Sequence, residues 1–362
     1  MTVRRRDLER GLAHAERVIA LAERCRPTNA RVELERVLEA WQRGHERAPA
    51  WQFAPAAGLA DVCAGLEQVA RHAETCCGWG RLYADRAREL AVEAELAERV
   101  GTPGFAAQAA RRYPVESSED GKTARTWAEA WAVESPSAQR GEAVDSDDEH
   151  CPESLLSAMR RAVGAHRLPF RVVVHDDLLS AAATGDGIIV VRGGARYRRF
   201  DVERIVRHEI EGHALPRARA RSESSALFSV GTAGGSDDEE GRALLLEQRN
   251  GCLGAERRAE LGRRHLAAIA VRLGADFVET VRLLLALGAN VEQAVLIANR
   301  VHRGAGLARE IVYLTALARV GRLLALDPEA ERWLERGRIA VGAVPVLREL
   351  GEPPELMRAR AA

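Results

Sequence analysis

The run His208-Glu209-Ile210-Glu211-Gly212-His213 sets two imidazoles five positions apart, with a carboxylate directly after the first. Neutral imidazole is a common metal ligand, and a carboxylate beside a ligand can take a proton from a metal-activated water. On a regular α-helix, however, residues five apart diverge by about 140° and cannot share an ion. A π-type turn of roughly 4.4 residues returns positions i and i+5 to nearly one face, and such turns recur at functional sites. Gly212, just before the second histidine, makes that distortion cheaper. Two readings follow: a metal pair on an irregular helix, or two histidines on an ordinary amphipathic one.

A hydrolytic zinc site takes three protein ligands and keeps a fourth position for water. Downstream, GTAGGSDDEEGRALLLEQRNG spans Gly231 to Gly251. Ser236 with Glu239 three residues later reads as a capping box that opens a helix, and Asp237 and Asp238 suit its dipole. By itself the acidic run requires nothing more. If Glu239 turns back to the cap, losing it costs about 0.5–2 kcal/mol and no more, and Glu240 is left free to bind a metal. Glu247, seven residues on, shares nearly the same face and suits an outer-shell role.

These residues need a frame. Phe170 to His175 (FRVVVH) and Gly187 to Gly193 (GIIVVRG) are β-branched runs bounded by turn residues and read as strands, preceded by a helix through SLLSAMRRAVGAH. FDVERIVRHEIEGHAL follows, with Asp201 as the expected N-cap and Val202, Ile205 and Val206 starting an apolar face. The hexapeptide thus belongs to a helix that follows a small sheet. C-terminal to it, Asp276 with Glu279, Asn290 with Gln293, and Asp327 before Pro328 start helices, while Gly274, Gly288 and Gly337 end them. Residues 1–112 are Ala/Leu/Arg/Glu-rich with helical periodicity, and 113–150 turn to Ser, Asp, Glu and Gly, which reads as a partly ordered linker with a short helix over Trp127 to Val133. The expected division is a helical region over 1–112, that linker over 113–150, and a catalytic domain over 151–362.

Lys+Arg and Asp+Glu both number 53 in 362 residues, so no bulk basic field recruits nucleic acid or an anionic membrane. No apolar run reaches the roughly 18 residues of a membrane span. The six cysteines form no CxxC pair and fit reduced thiols, so a cytoplasmic, unexported protein is expected.

Taken together, the motifs resemble the microtubule-associated tyrosine carboxypeptidases and their bacterial relatives, known as flavohemoglobin-expression-modulating proteins with a QEGLA motif. LLSAAATGDGIIVVRGGARYRRFDVERIVRHEIEGH is similar to the family's strand and metal helix, DDEEGRALLLEQ to its QEGLA helix, and GADFVETVRLL, ANRVHRGAGLAREIVYLTAL and GRIAVGAVPVLREL to its C-terminal lobe. The resemblance runs from about Cys151 to Leu350. It implies an α+β, mostly α, gluzincin-like zinc peptidase holding one Zn2+ per chain on His208, His213 and Glu240, with Glu209 as general base. The family's RG and YL motifs align on Arg303 and Tyr313 as candidate catalytic donors, and Arg300, His302 and Arg303 are candidates for the substrate carboxylate. This sequence departs from the family at Glu211-Gly212 (commonly Gly-Thr), Arg242 (commonly Leu), Arg309-Glu310 (commonly Lys-Asp) and His302 (commonly Tyr). The expected activity is removal of the last residue of a peptide or protein, with an aromatic residue such as tyrosine favoured. The alternatives are a zinc endopeptidase or amide hydrolase, and a binding or regulatory protein with a structural zinc. Glu209 speaks against the last, since a structural site needs no base.

Overall fold

The computed structural model describes residues 2–55, 58–76, 78–134, 142–176, 178–351 and 356–358. The chain is mostly helical, with one three-stranded sheet and two short two-stranded pairs. Both expected strands form, as Arg171–His175 and Ile188–Arg192, and they run parallel with Arg171 opposite Ile188. A third strand, Ala182–Thr184, joins the other edge of Ile188–Arg192 in antiparallel sense. It gave little warning in the sequence, because Ala-Ala-Thr has no alternation to read.

The sheet and the motif helix share a small core. Leu155 and Met159 from the helix Leu155–Ala165, Ile189 and Val191 from the central strand, and Val202, Ile205, Ile210 and Ala214 close over one another. The motif helix begins at Arg199, so Asp201 is not its cap; it sits in the first turn, where its charge suits the dipole. After Arg207 the helix turns into a seven-residue π segment, His208–Ala214, and then continues as Leu215–Arg221.

A second, larger core is continuous from Leu8 to Leu347. Tyr83, Leu90 and Phe105 of the N-terminal helices share it with Leu261, Val295 and Leu314 of the C-terminal ones, so the boundary expected near residue 112 does not divide the packing. The helix expected at Trp127 to Val133 starts earlier, at Glu119. Glu119–Ala132 is a capped helix packed along Ala255–Arg272, and Ala143–Asp145 pairs with Arg196–Arg198. Ser and Glu mark the start of that helix, but Ala124, Ala128 and Ala132 give it a buried stripe narrow enough to look polar overall. Residues 135–141 of that stretch lie outside the described residues.

The helix Gly235–Arg249 joins the two cores. It lies against Val312–Leu326 on one side and the π segment on the other. Both approaches are too close for a side chain: a Cβ on Gly241 would stand 2.4 Å from the Ala316 backbone, and one on Gly212 would stand 2.6 Å from the Ala243 Cβ. Gly212 therefore does more than ease a helical distortion, because it lets the glutamate-bearing helix reach the histidines.

Candidate metal centre

The π segment resolves the five-residue spacing. His208 and His213 turn to the same side, their rings 5.0 Å apart and their Nε2 atoms 3.3 Å apart. Glu240 enters from the facing helix, its Oε2 lying 3.6 Å from Nε2 of His208 and 3.7 Å from Nε2 of His213. Among the described residues, these three form the group whose donor atoms converge closely enough to hold one ion. A tetrahedral zinc bound at ~2.0–2.2 Å sets nitrogen and oxygen donors roughly 3.3–3.6 Å apart, so the donor set and its spacing fit that metal.

Each ring is fixed from behind. Nδ1 of His208 is 2.7 Å from Oε1 of Glu247, a fully buried carboxylate that also accepts from Arg257 and stands 3.8 Å from Arg204. The outer-shell expectation for Glu247 thus acquires a geometry: a carboxylate on Nδ1 fixes the ring and leaves Nε2 for the ion. Nδ1 of His213 lies 3.2 Å from Oε2 of Glu239, an ion-pair approach. Burial presses the His213 pKa down, but Glu239 and Glu240 outweigh it and bring it up to about 10; His208 is raised by the same contest. Burial pushes the Glu247 carboxyl up, yet Arg257 and His208 bring it down to about 2.

Glu239 is a correction. Its helix starts at Gly235 after a left-handed Gly234, Ser236 makes no cap, and Glu239 does not turn back. Arg217 grips both its oxygens, at 3.2 and 2.9 Å, and the same guanidinium donates to the carbonyl of Thr184. A bidentate arginine is a stronger partner than a backbone amide, so the capping box loses. Arg217 follows His213 by four residues, a spacing that puts both on one helical face, and that was the signal for it in the sequence. Thr184 offered no such signal. Its hydroxyl donates to Oε2 of Glu209 at 2.7 Å, so the short third strand aims the expected base. Arg242, also missed, donates to the carbonyls of Glu211 and Gly212, which steadies the π segment.

Beyond the cluster, Arg309 donates to Oε1 of Glu240 at 3.3 Å and lies 5.9 Å from the centre of the Tyr313 ring. The Tyr313 hydroxyl accepts from Arg300 at 3.4 Å; Arg300 and Arg303 both reach Oε1 of Glu310, at 2.7 and 3.5 Å. The structure therefore brings Arg300, Arg303 and Tyr313 into one network that extends to Glu240. Arg264 also stacks on Tyr313, 4.5 Å from the ring centre, with two buried guanidinium nitrogens unpartnered. His302 is placed differently from its expected substrate contact. It is buried, edges Phe277 and is 2.9 Å from the Thr280 hydroxyl, and burial lowers its pKa to about 4, the environment of a core histidine.

A mostly helical α+β protein with two histidines and a glutamate converging beside a buried glutamate defines the class at the level of architecture. The family model for microtubule-associated tyrosine carboxypeptidase matches residues 42–359, nearly the whole chain, and the chain belongs to that family. A search of curated proteins finds no match. Membership makes it a carboxypeptidase-like enzyme and extends the resemblance back from Cys151 into the N-terminal helices. Among the described residues no helix is long and apolar enough to cross a membrane.

Proposed function

We propose that the chain is a zinc-dependent carboxypeptidase of the gluzincin type, with one zinc held by His208, His213 and Glu240. The observation that carries the reading is the convergence of the two Nε2 atoms and Oε2 of Glu240 within 3.3–3.7 Å, with carboxylates behind both rings. Zinc bound there supplies Lewis acidity, lowering the pKa of a water and polarising the peptide carbonyl. The chain's own groups do the rest. Glu209, held by Thr184, accepts the water's proton and delivers it to the leaving amine. Tyr313, whose hydroxyl accepts from Arg300, is our candidate donor to the oxygen that gains charge.

Four arginines, Arg264, Arg300, Arg303 and Arg309, surround Tyr313 and share the carboxylates of Glu310, Glu260 and Glu240. That is an excess of positive charge beside the cluster, and it suits a peptide's terminal carboxylate. The substrate is a peptide or protein C-terminus, with tyrosine or another aromatic residue last. Five described cysteines are free, in keeping with a reducing cytoplasm.

The test is a pair of peptides ending in Tyr or Phe, each with a free and an amidated C-terminus, read by mass spectrometry. Loss of the single last residue from the free form only is expected, because the amide lacks the charge the arginines bind. Equal cleavage of both forms at internal bonds would make the enzyme an endopeptidase. Cleavage of neither, with zinc present, would leave a binding protein.

A further inference from the structure

One guanidinium reaches behind both the candidate base and a candidate metal ligand. Nε and Nη2 of Arg217 hold Oε1 and Oε2 of Glu239 at 3.2 and 2.9 Å, and Oε2 of Glu239 stands 3.2 Å from Nδ1 of His213. Nη1 of the same group donates to the carbonyl of Thr184, and the Thr184 hydroxyl donates to Oε2 of Glu209 at 2.7 Å. The helix Leu215–Arg221, the strand Ala182–Thr184 and the helix Gly235–Arg249 thus meet at one side chain.

Planarity couples the two branches. A guanidinium holds its donors in a rigid fork, so the grip on both oxygens of Glu239 also fixes where Nη1 points. Nη1 meets the last residue of a three-residue edge strand, whose one ladder, to Ile188–Arg192, leaves its other side unpaired within the sheet. A bond to the Thr184 carbonyl at that point sets the end of the strand, and with it the direction of the hydroxyl that aims Glu209. The charge is kept as well: burial lowers the Arg217 pKa, but Glu239, followed by Glu209 and Glu240, raises it above its ordinary value.

We infer that Arg217 is a positioning residue that sets His213 and Glu209 relative to each other, acting on the first through Glu239 and on the second through Thr184. The inference rests on the zinc-peptidase reading for what His213 and Glu209 do. Its signature is a double loss: removing one side chain that touches neither metal nor substrate weakens zinc binding and slows the zinc-loaded enzyme together. Arg217→Gln should weaken zinc by about 10–100-fold and lower kcat at saturating zinc by a similar factor, with KM unchanged. Arg217→Lys keeps the charge but offers a single nitrogen in place of the fork, so it should recover one loss at most.

The experiment measures zinc affinity by competition with a chelator, and kcat and KM on a peptide ending in tyrosine, for the full-length wild type and both variants. Double-mutant cycles then separate positioning from support of the fold. With Arg217→Gln in place, Glu239→Gln should cost less zinc affinity, and Thr184→Val less kcat, than each costs in the wild-type background, because the tether each acts with is already gone. A residue that only supports folding would lower the melting temperature and leave these losses additive. Should Arg217→Gln not fold, Arg217→Lys carries the same cycles. The inference is overturned if Arg217→Gln keeps zinc affinity and kcat, if Arg217→Lys matches the wild type in both, or if the losses add in full. A wild type that binds no zinc or hydrolyses no peptide overturns the peptidase reading and this inference with it, whereas a working wild type beside an equally working Arg217→Gln overturns the inference alone.

Discussion

Glu239 and Glu240 are neighbours with the same side chain and opposite duties. The structure brings Glu240 to the two histidines and turns Glu239 to Arg217 in place of a cap, because a capping box is a local pattern and the Arg217 pair that displaces it comes from another element. The consequence is measurable. Glu239→Ala should weaken zinc binding by about 10–100-fold, the usual effect of losing an outer-shell carboxylate, where a mere cap would leave metal affinity unchanged. Competition with a zinc chelator reads the difference. The same pair sets a proton balance. In the metal-free protein His213 has its pKa raised from 6.5 to about 10, so it carries a proton at pH 7 that a metal must displace. Zinc uptake at pH 7 should release protons, the release should fade as pH rises through about 10, and Glu239→Ala should diminish it. Titrations in buffers of different ionisation enthalpy would show this, and no release at pH 7 would contradict the assignment.

The motif helix was the most legible element in function and the least regular in form. Two histidines five apart can meet only if the helix takes an extra residue in one turn, and the π segment His208–Ala214 is that turn. What periodicity could not show is why the segment is stable. Arg242 donates to the carbonyls of Glu211 and Gly212, and the missing side chain of Gly212 admits Ala243. The departures from the family pattern at Glu211-Gly212 and at Arg242 thus fall on residues that touch. Gly212→Ala should force the two helices apart, costing about 1–3 kcal/mol of stability and weakening zinc binding with it. A thermal melt and a zinc titration on the variant check both, and an unchanged zinc affinity would mean that the helix spacing does not set the site. The strands Arg171–His175 and Ile188–Arg192 were legible from their β-branched runs; Ala182–Thr184 was not, although its Thr184 holds Glu209.

For the whole molecule, composition suggested three regions and packing shows two cores, the smaller lying within residues 151–362 and the larger crossing the boundary near residue 112. Side chains cross the first boundary repeatedly: Arg86 and Arg338 share Glu16, Arg112 pairs with Asp237 at 2.8 Å beside the cluster helix, and Phe105 packs at Gly304. Such contacts between distant segments leave no trace in a local window of sequence. A chain beginning at residue 113 should therefore lack cooperative unfolding, since it loses much of the larger core. Calorimetry of the truncated chain beside the full one would show it, and a sharp transition in the fragment would restore the separate catalytic domain.

In the proposed reaction Glu209 works as a base beside a zinc held by His208, His213 and Glu240. Glu209→Gln keeps the size of the side chain and removes only the carboxylate that takes the proton. Zinc content by elemental analysis and hydrolysis of a peptide ending in tyrosine should be measured on the same preparations of wild type and variant. We expect about one zinc per chain in both, with hydrolysis lower in the variant by about 10²–10⁴-fold or more. Equal hydrolysis by both proteins, or a wild type that takes up no zinc, would contradict the account.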